Sequence, residues 1–239
     1  MRAELFGLNI DTLSFDDAVK KAVELINTDS VSQVVTINPE IIYASEKNET
    51  LKKAIDEAEL VFPDGVGVKI ALKINGIPAE RIPGIDFAKK MLEHCASNNL
   101  SVAIVGAKEE IIVKAIENLR NEINNLNIVY YHNGYFNNDS EIYEELKAHN
   151  PQMILVAMGA PRQEEFIYRA KSVLNRGLMI GIGGSLDVWS GVVKRAPLFF
   201  QKTGTEWLYR TVSQPERFKR IFPTLPLFLL KAIKYKFIK

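Results

Sequence analysis

Six short apolar runs separated by longer amphipathic stretches constrain this chain more than any other feature. They are QVVTIN (33–38), AELVFP (58–63), SVAIVGA (101–107), IVYYHNG (128–134), MILVAMGA (153–160) and LMIGIGG (178–184). Most are near-continuous rather than alternating, the pattern of strands covered on both faces of a parallel sheet. Between them, residues 14–27, 84–99, 108–124, 139–150 and 162–175 repeat apolar positions at the three-and-four spacing of a helix with one buried face. Ser14, followed three residues later by Asp17, marks the first of these with a capping-box pattern. Alternation of this kind predicts an α/β fold: a Rossmann-like, mostly parallel sheet with helices on both faces. With 239 residues, 47% of them hydrophobic, the chain can bury one large core, or one core and a small appendage.

The alternation stops after Trp189. RAPLFFQKTGTEWLYRTVSQPERFKRIFPTLPLFLLKAIKYKFIK has no further strand and is predicted to be helical in places, broken by Pro215, Pro223 and Pro226. From Lys194 to Lys239 it carries eleven Lys or Arg against Glu206 and Glu216, a net +9 that leaves −8 on the rest of the chain. The expected division is therefore an α/β domain over 1–193 and a basic, amphipathic, helical C-terminal appendage over 194–239 that lies outside the sheet's core. A basic tail rich in aromatic residues calls for an anionic partner, either a nucleic acid or a membrane surface. No run of eighteen apolar residues exists, so no transmembrane span is predicted. The N-terminus meets acids too early for a signal peptide. Cys95 is the single cysteine, mid-helix; it has no disulfide partner within the chain and is expected to be a packing residue in a reducing compartment.

In an open α/β sheet, ligands bind beyond the carboxyl ends of the strands. Five such ends carry small or polar clusters: TINPE (36–40), FPDGVG (62–67), IVGAKEE (104–110), MGAPRQE (158–164) and GIGGSLDVWSG (181–191). Bare backbone amides beside helix N-termini suit a diphosphate. None of the five is a Walker loop or a full GxGxxG, and each alone reads equally as a tight turn. Asp64 has two readings. It can cap the helix that follows, or it can stand beside a diphosphate cleft as a general base for an attacking hydroxyl. Asn38 can terminate its strand before Pro39, Thr36 can be an ordinary sheet residue, and Arg81 can be a solvated surface charge. Gln163 and Glu164 read as first-turn helix residues, where an acid suits the helix dipole. No Asp-x-Asp pair appears, and His94, His132 and His149 have no ligand spacing, so no metal site is expected. No Gly-x-Ser-x-Gly elbow is present either, which argues against serine hydrolase chemistry.

As an ordered set, TINPE, DGVGV, RIPGID, GAPRQE, GIGGSLDVWSG, KRAP and EWLYR resemble the bacterial WecG/TagA/CpsF family of UDP-N-acetyl-D-mannosaminyltransferases, over essentially the whole chain. The resemblance implies an inverting, metal-independent glycosyltransferase with no cofactor. It would move N-acetylmannosamine from UDP-N-acetylmannosamine to undecaprenyl-diphosphate-linked N-acetylglucosamine, in cell-wall or surface polysaccharide synthesis. Asp64 falls on the family's proposed general base; Thr36, Asn38, Arg81 and Gln163 fall on pocket positions. The glycine-rich strand ends, with Gly106, Gly159, Gly183, Gly184 and Asp187, are implied to hold the UDP-sugar. The glycines beside Asp64 would keep backbone close to the sugar. Arg210, Arg217 and Arg220 match a basic segment that faces the lipid diphosphate, and the enzyme would lie peripherally on the cytoplasmic face of the membrane, possible homo-oligomers forming in solution. Thr203 and Thr205 depart from the family's usual apolar GLEW, which bears on how the appendage docks. The motifs do not distinguish the donor from another UDP-hexosamine. Rival readings are a nicotinamide-dependent dehydrogenase, disfavoured without its GxGxxG fingerprint, a non-catalytic membrane scaffold, and a nucleic-acid-binding module using the basic tail. The family resemblance carries no nucleic-acid partner.

Overall fold

A computed structural model describes residues 2–206, 208–209 and 215–238. The chain opens with an antiparallel hairpin, β1 (Arg2–Leu5) and β2 (Leu8–Asp11), that the apolar-run pattern did not reveal. Its turn is Phe6-Gly7, both with positive φ, which a two-residue type I′ turn requires. Each strand is only four residues long, and its apolar residues Leu5, Leu8 and Ile10 alternate with polar ones. Asp11 fastens the hairpin to the main sheet: Arg2 Nε donates to its Oδ1 at 3.0 Å, and the Val61 N–H to its Oδ2 at 2.9 Å.

The main sheet has six strands, β3 (Val31–Ile37), β4 (Leu60–Pro63), β5 (Val102–Gly106), β6 (Ile128–His132), β7 (Met153–Ala157) and β8 (Gly177–Gly181). Their order is β4-β3-β8-β7-β5-β6 and every pair is parallel. The α/β, Rossmann-like expectation therefore holds, and each strand lies within a few residues of its apolar run. The near-continuous runs have the cause inferred for them, since both faces are covered. One face takes α1 (Phe15–Ile26), α5 (Gly84–Ser97), α6 (Glu109–Glu122) and α9 (Ser185–Trp189) against Val34, Phe62, Ile104, Leu155 and Ile180. The other takes α2 (Pro39–Ser45), α3 (Glu49–Asp56) and α4 (Val66–Ile74) at the β3–β4 end, and α7 (Asp139–His149) and α8 (Arg162–Ala170) beside β5 and β7.

Further along lie α10 (Leu198–Lys202) and α11 (Pro215–Ile238). The prolines do not break α11. It runs 24 residues through Pro223 and Pro226, about 36 Å at 1.5 Å per residue. Its C-terminal half also departs from the expected separation from the core. Phe228 and Ala232 are fully buried in the cluster that holds Val35, Ile37 and Val61 of the sheet. The Phe228 ring meets Phe6 edge-on at 5.4 Å and Tyr43 at 5.8 Å. Tyr235 Oη donates to Glu4 at 2.7 Å, and Lys231 pairs with Glu46. This packing outweighs the local cost of the prolines, a cost that propensity alone would put at about 3 kcal/mol each.

Candidate active site

At their carboxyl ends, neighbouring strands β3 and β8 send the chain to opposite faces of the sheet, into α2 and α9 respectively. That divergence opens a crevice at the topological switch point. A cavity of about 450 Å³ occupies it, lined from the ends of β4, β3, β8 and β7. Helices α2, α4, α5, α8 and α9 all begin at its edge; α4, α8 and α9 have no side-chain cap, although the Gln163 and Ser185 amides of α8 and α9 already donate to the Gly159 and Ile182 carbonyls.

Thr36, Asn38, Asp64, Arg81, Gln163, Gly159, Gly183 and Gly184, drawn from five separate motifs, all line this one cavity. Asp64 does not cap α4, the helix that follows it; Gly65 is that N-cap and offers no side chain. Its Oδ1 instead accepts the Gly84 N–H at 3.0 Å, at the first turn of α5, twenty residues on. The carboxylate is thus anchored at one oxygen by tertiary structure. Arg81 holds the same loop from outside: its Nε donates to the Asp64 carbonyl at 2.7 Å, and its guanidinium pairs with Glu206 at 3.1 Å. Both side chains of that pair are largely buried, so Arg81 is no solvated surface charge.

Asn38 is the N-cap of α2, its Oδ1 accepting from the Glu40 and Ile41 amides at 2.9 and 3.0 Å. Thr36 Oγ1 donates to the Gly181 carbonyl at 3.2 Å, joining β3 to β8 beneath the cavity. Gln163 is buried, and its Oε1 accepts from Gly183 N at 3.0 Å and Gly159 N at 3.2 Å, tying the two glycine turns together. Its Nε2 donates to Glu164 Oε1 at 2.8 Å. Glu164 is in the first turn of α8, as expected, but that turn faces inward. It is 1% exposed, and burial pushes its carboxyl up to about 7.

Gly106 and Asp187 stand outside the cavity lining. Gly106 ends β5, beyond β7, where a Cβ would lie 2.3 Å from the Ala157 carbonyl oxygen, so strand packing requires the glycine there. Asp187 lies inside α9, where its carbonyl takes the Val193 N–H and the Ser190 hydroxyl. Gly65 and Gly67, the glycines beside Asp64, both line the cavity. A Cβ on Gly67 would come within 2.7 Å of Leu225 on α11 and 2.8 Å of Pro39 on α2, so close packing of those helices also requires a glycine there. Thr224 and Leu225 of α11 accordingly form part of the cavity wall, as does Glu206. Arg210 lies outside the described residues, as do the side chains of Arg217 and Arg220, both of which fall within α11. Among the described residues, no group of three or more His, Cys, Asp or Glu side chains is placed to hold a metal ion.

The profile of the Glycosyl transferase WecG/TagA/CpsF family matches residues 3–239. The chain belongs to that family. Among its relatives are three proteins named N-acetylglucosaminyldiphosphoundecaprenol N-acetyl-beta-D-mannosaminyltransferase. The Bacillus spizizenii protein is 33% identical over 85% of this chain and 79% of its own length. That of Bacillus subtilis (strain 168) is 31% identical over 95% and 88%, and that of Staphylococcus aureus (strain MW2) 30% identical over 98% and 93%.

For this WecG/TagA/CpsF member, sequence reading missed Glu206, Thr224, Leu225 and Glu164. Glu206 stood in a recognised motif, EWLYR, but nothing local shows that it reaches Arg81, 125 residues away. Glu164 had one usable signal. On a helix it follows Gln163 and precedes Glu165 and Phe166, so one of three consecutive polar residues had to share the face of buried Phe166 and Ile167.

Proposed function

We propose that this protein is an inverting glycosyltransferase that moves N-acetylmannosamine from UDP-N-acetylmannosamine onto undecaprenyl-diphosphate-linked N-acetylglucosamine. The observation that carries the reading is the gathering of Asp64, Arg81, Asn38 and Gln163 at one crevice between uncapped helix N-termini, in a chain of this family. The names of the relatives supply the acceptor and the transferred sugar.

In this mechanism Asp64 takes the proton from the acceptor hydroxyl as its oxygen bonds to the anomeric carbon of the donor. The bond from that carbon to the UDP oxygen breaks, and UDP leaves as an anion. The Gly84 amide holds one Asp64 oxygen, fixing the carboxylate's direction. Negative charge growing on the leaving group is met by the amides at the starts of α4, α8 and α9, and no metal ion takes part.

In this reading the reaction takes place at a membrane surface, and the outer side of α11 supports that. Leu227, Leu230, Ile233 and Phe237 are exposed along it, with Lys234 and Lys236 also exposed. A helix with apolar residues and lysines exposed together suits a surface of anionic lipid headgroups. No helix among the described residues is long and apolar enough to cross a membrane.

Asp64→Asn tests the base. Asparagine keeps an oxygen that can accept the Gly84 N–H, so the fold should melt as wild type while transfer falls by about a hundredfold to ten-thousandfold. Asp64→Ala should lose both rate and stability. Near wild-type turnover of the Asn variant, with UDP-N-acetylmannosamine and the lipid-linked acceptor, would remove Asp64 from the role of base.

A further inference from the structure

Beneath the cavity, Glu164 and Gln33 form a buried polar group whose hydrogen bonding does not close. Gln33, on β3, is fully buried; its Nε2 donates to the Glu164 main-chain oxygen at 3.1 Å. Its Oε1 has no partner, and neither has Glu164 Oε2. Two buried acceptors are therefore left unpaired in one polar group. The other Glu164 oxygen, Oε1, takes Gln163 Nε2, and that bond acts with the Gly159 and Gly183 amides to fix which way the Gln163 amide faces. Turned over, Gln163 would present its NH2 to the Gly159 and Gly183 N–H groups, setting donor against donor.

We infer that Glu164 is a positioning residue for the transfer: it orients Gln163, and through it the two glycine turns lining the cavity, and its second buried oxygen makes that clamp sensitive to pH. A proton on Oε2 removes an unpaired charge from the interior and turns that oxygen from acceptor into donor. Loss of the proton makes Oε1 a better acceptor for Gln163 but leaves a carboxylate shut away from water, a cost that falls on the packing around the clamp and the turns it holds.

Among the described residues, the surroundings offer no compensating cation. On α8, Glu165 raises the cost of charge at Glu164, and its own partners are Asn48 and Arg169. On the β3 side, Glu59 takes the Gln33 N–H at 2.6 Å and pairs with Lys171. Helix α3 turns Leu51, Ala54 and Ile55 inward and leaves Lys52, Lys53 and Asp56 exposed. From β7 and β8, the residues on this face are Ile154, Val156 and Met179.

The linkage has a definite sign. With the folded carboxyl raised from 4.5 to about 7, the folded state binds more protons than the unfolded one across that interval. Stability therefore falls as pH rises through it and levels off above.

The role in transfer rests on the proposed function, but the clamp itself can be read without it. Thermal melts from pH 5 to 9 should show the wild type losing stability towards pH 7 and Glu164→Gln losing markedly less. Identical slopes in the two proteins would overturn the proton-holding role. For transfer, wild-type KM for the UDP-sugar should rise between pH 6 and 8, and Glu164→Gln, which keeps an acceptor for Gln163, should lose that rise. Glu164→Ala frees the Gln163 amide and should raise donor KM by about tenfold, with a smaller effect on kcat. An unchanged KM in a folded Ala variant would overturn the positioning role. A wild type inactive on this donor would sink the proposed function instead, leaving the melts to judge the clamp.

Discussion

Phe228→Ala tests whether α11 is a docked wall of the active site. The ring is fully buried against Phe6 and Tyr43 in a cluster that includes sheet residues. Truncating such a ring costs about 3–5 kcal/mol through lost burial and the cavity left behind. The two edge-to-face contacts are worth roughly 0.5–1.5 kcal/mol each, and these are part of the same loss. Elsewhere on α11, Tyr235 meets Phe6 edge-on at 5.1 Å and donates to Glu4, and Leu229 packs against the same cluster, so these contacts hold part of the helix and the loss of the ring loosens the rest. Ala232 is small, and the Lys231–Glu46 pair is about one-third exposed, so it contributes at most about 1 kcal/mol. A loss of about 3 kcal/mol shifts the docked-to-undocked ratio roughly 150-fold. Thr224 and Leu225 would then leave the cavity wall, opening the site beside Gly67. Hydrogen exchange of backbone amides is the assay. Residues 224–238 and α4 should lose protection together, while the amides of β5 and β7 keep theirs, and donor KM should rise. Leu230→Ala, on the exposed side, should leave exchange unchanged and weaken binding to anionic vesicles. If Phe228→Ala lowers protection uniformly through the sheet, α11 is part of the cooperative core and the docked-wall argument is wrong.

Gly106→Ala should destabilise the fold by roughly 3 kcal/mol or more, because its Cβ would meet backbone of β7 and its φ is +138°. Denaturant unfolding checks this, and a cost below about 1 kcal/mol would mean that β5 and β7 separate freely. Cys95 is fully buried, and burial pushes its thiol up to about 12. It should therefore resist thiol reagents at pH 8 until the protein opens; rapid labelling of the native state would contradict its place in the core.

The sheet was legible because its signal is local. A strand covered on both faces must be apolar at nearly every position, and QVVTIN, SVAIVGA and MILVAMGA display this without reference to anything distant. The hairpin was less legible, since two four-residue strands with one apolar side leave too few positions to establish a period. The cavity was legible in part for a related reason: strand ends in this fold meet at the crevice, so motifs at those ends converge only where strand order places them together. That order separated them. Gly159, Gly183 and Asp64 end neighbouring or nearly neighbouring strands, whereas Gly106 ends a strand one place too far along.

What only the tertiary structure decided are the partners. By itself the sequence put an acid before a glycine turn; that Asp64 caps α5 and not its own helix depends on Pro83 and Gly84 folding back over β4. Likewise, local propensity reads Pro223 and Pro226 as breaks and marks Glu164 only as a first-turn acid. The helix continues through the prolines and Glu164 is buried because Phe228 and Phe166 are buried nearby, and the free energy of burying a ring is comparable to the local penalties it opposes. Local patterning determined which segments became strands and helices, since each reports its own burial. Long-range packing determined which polar atoms face one another, and the site's chemistry lies in those pairings.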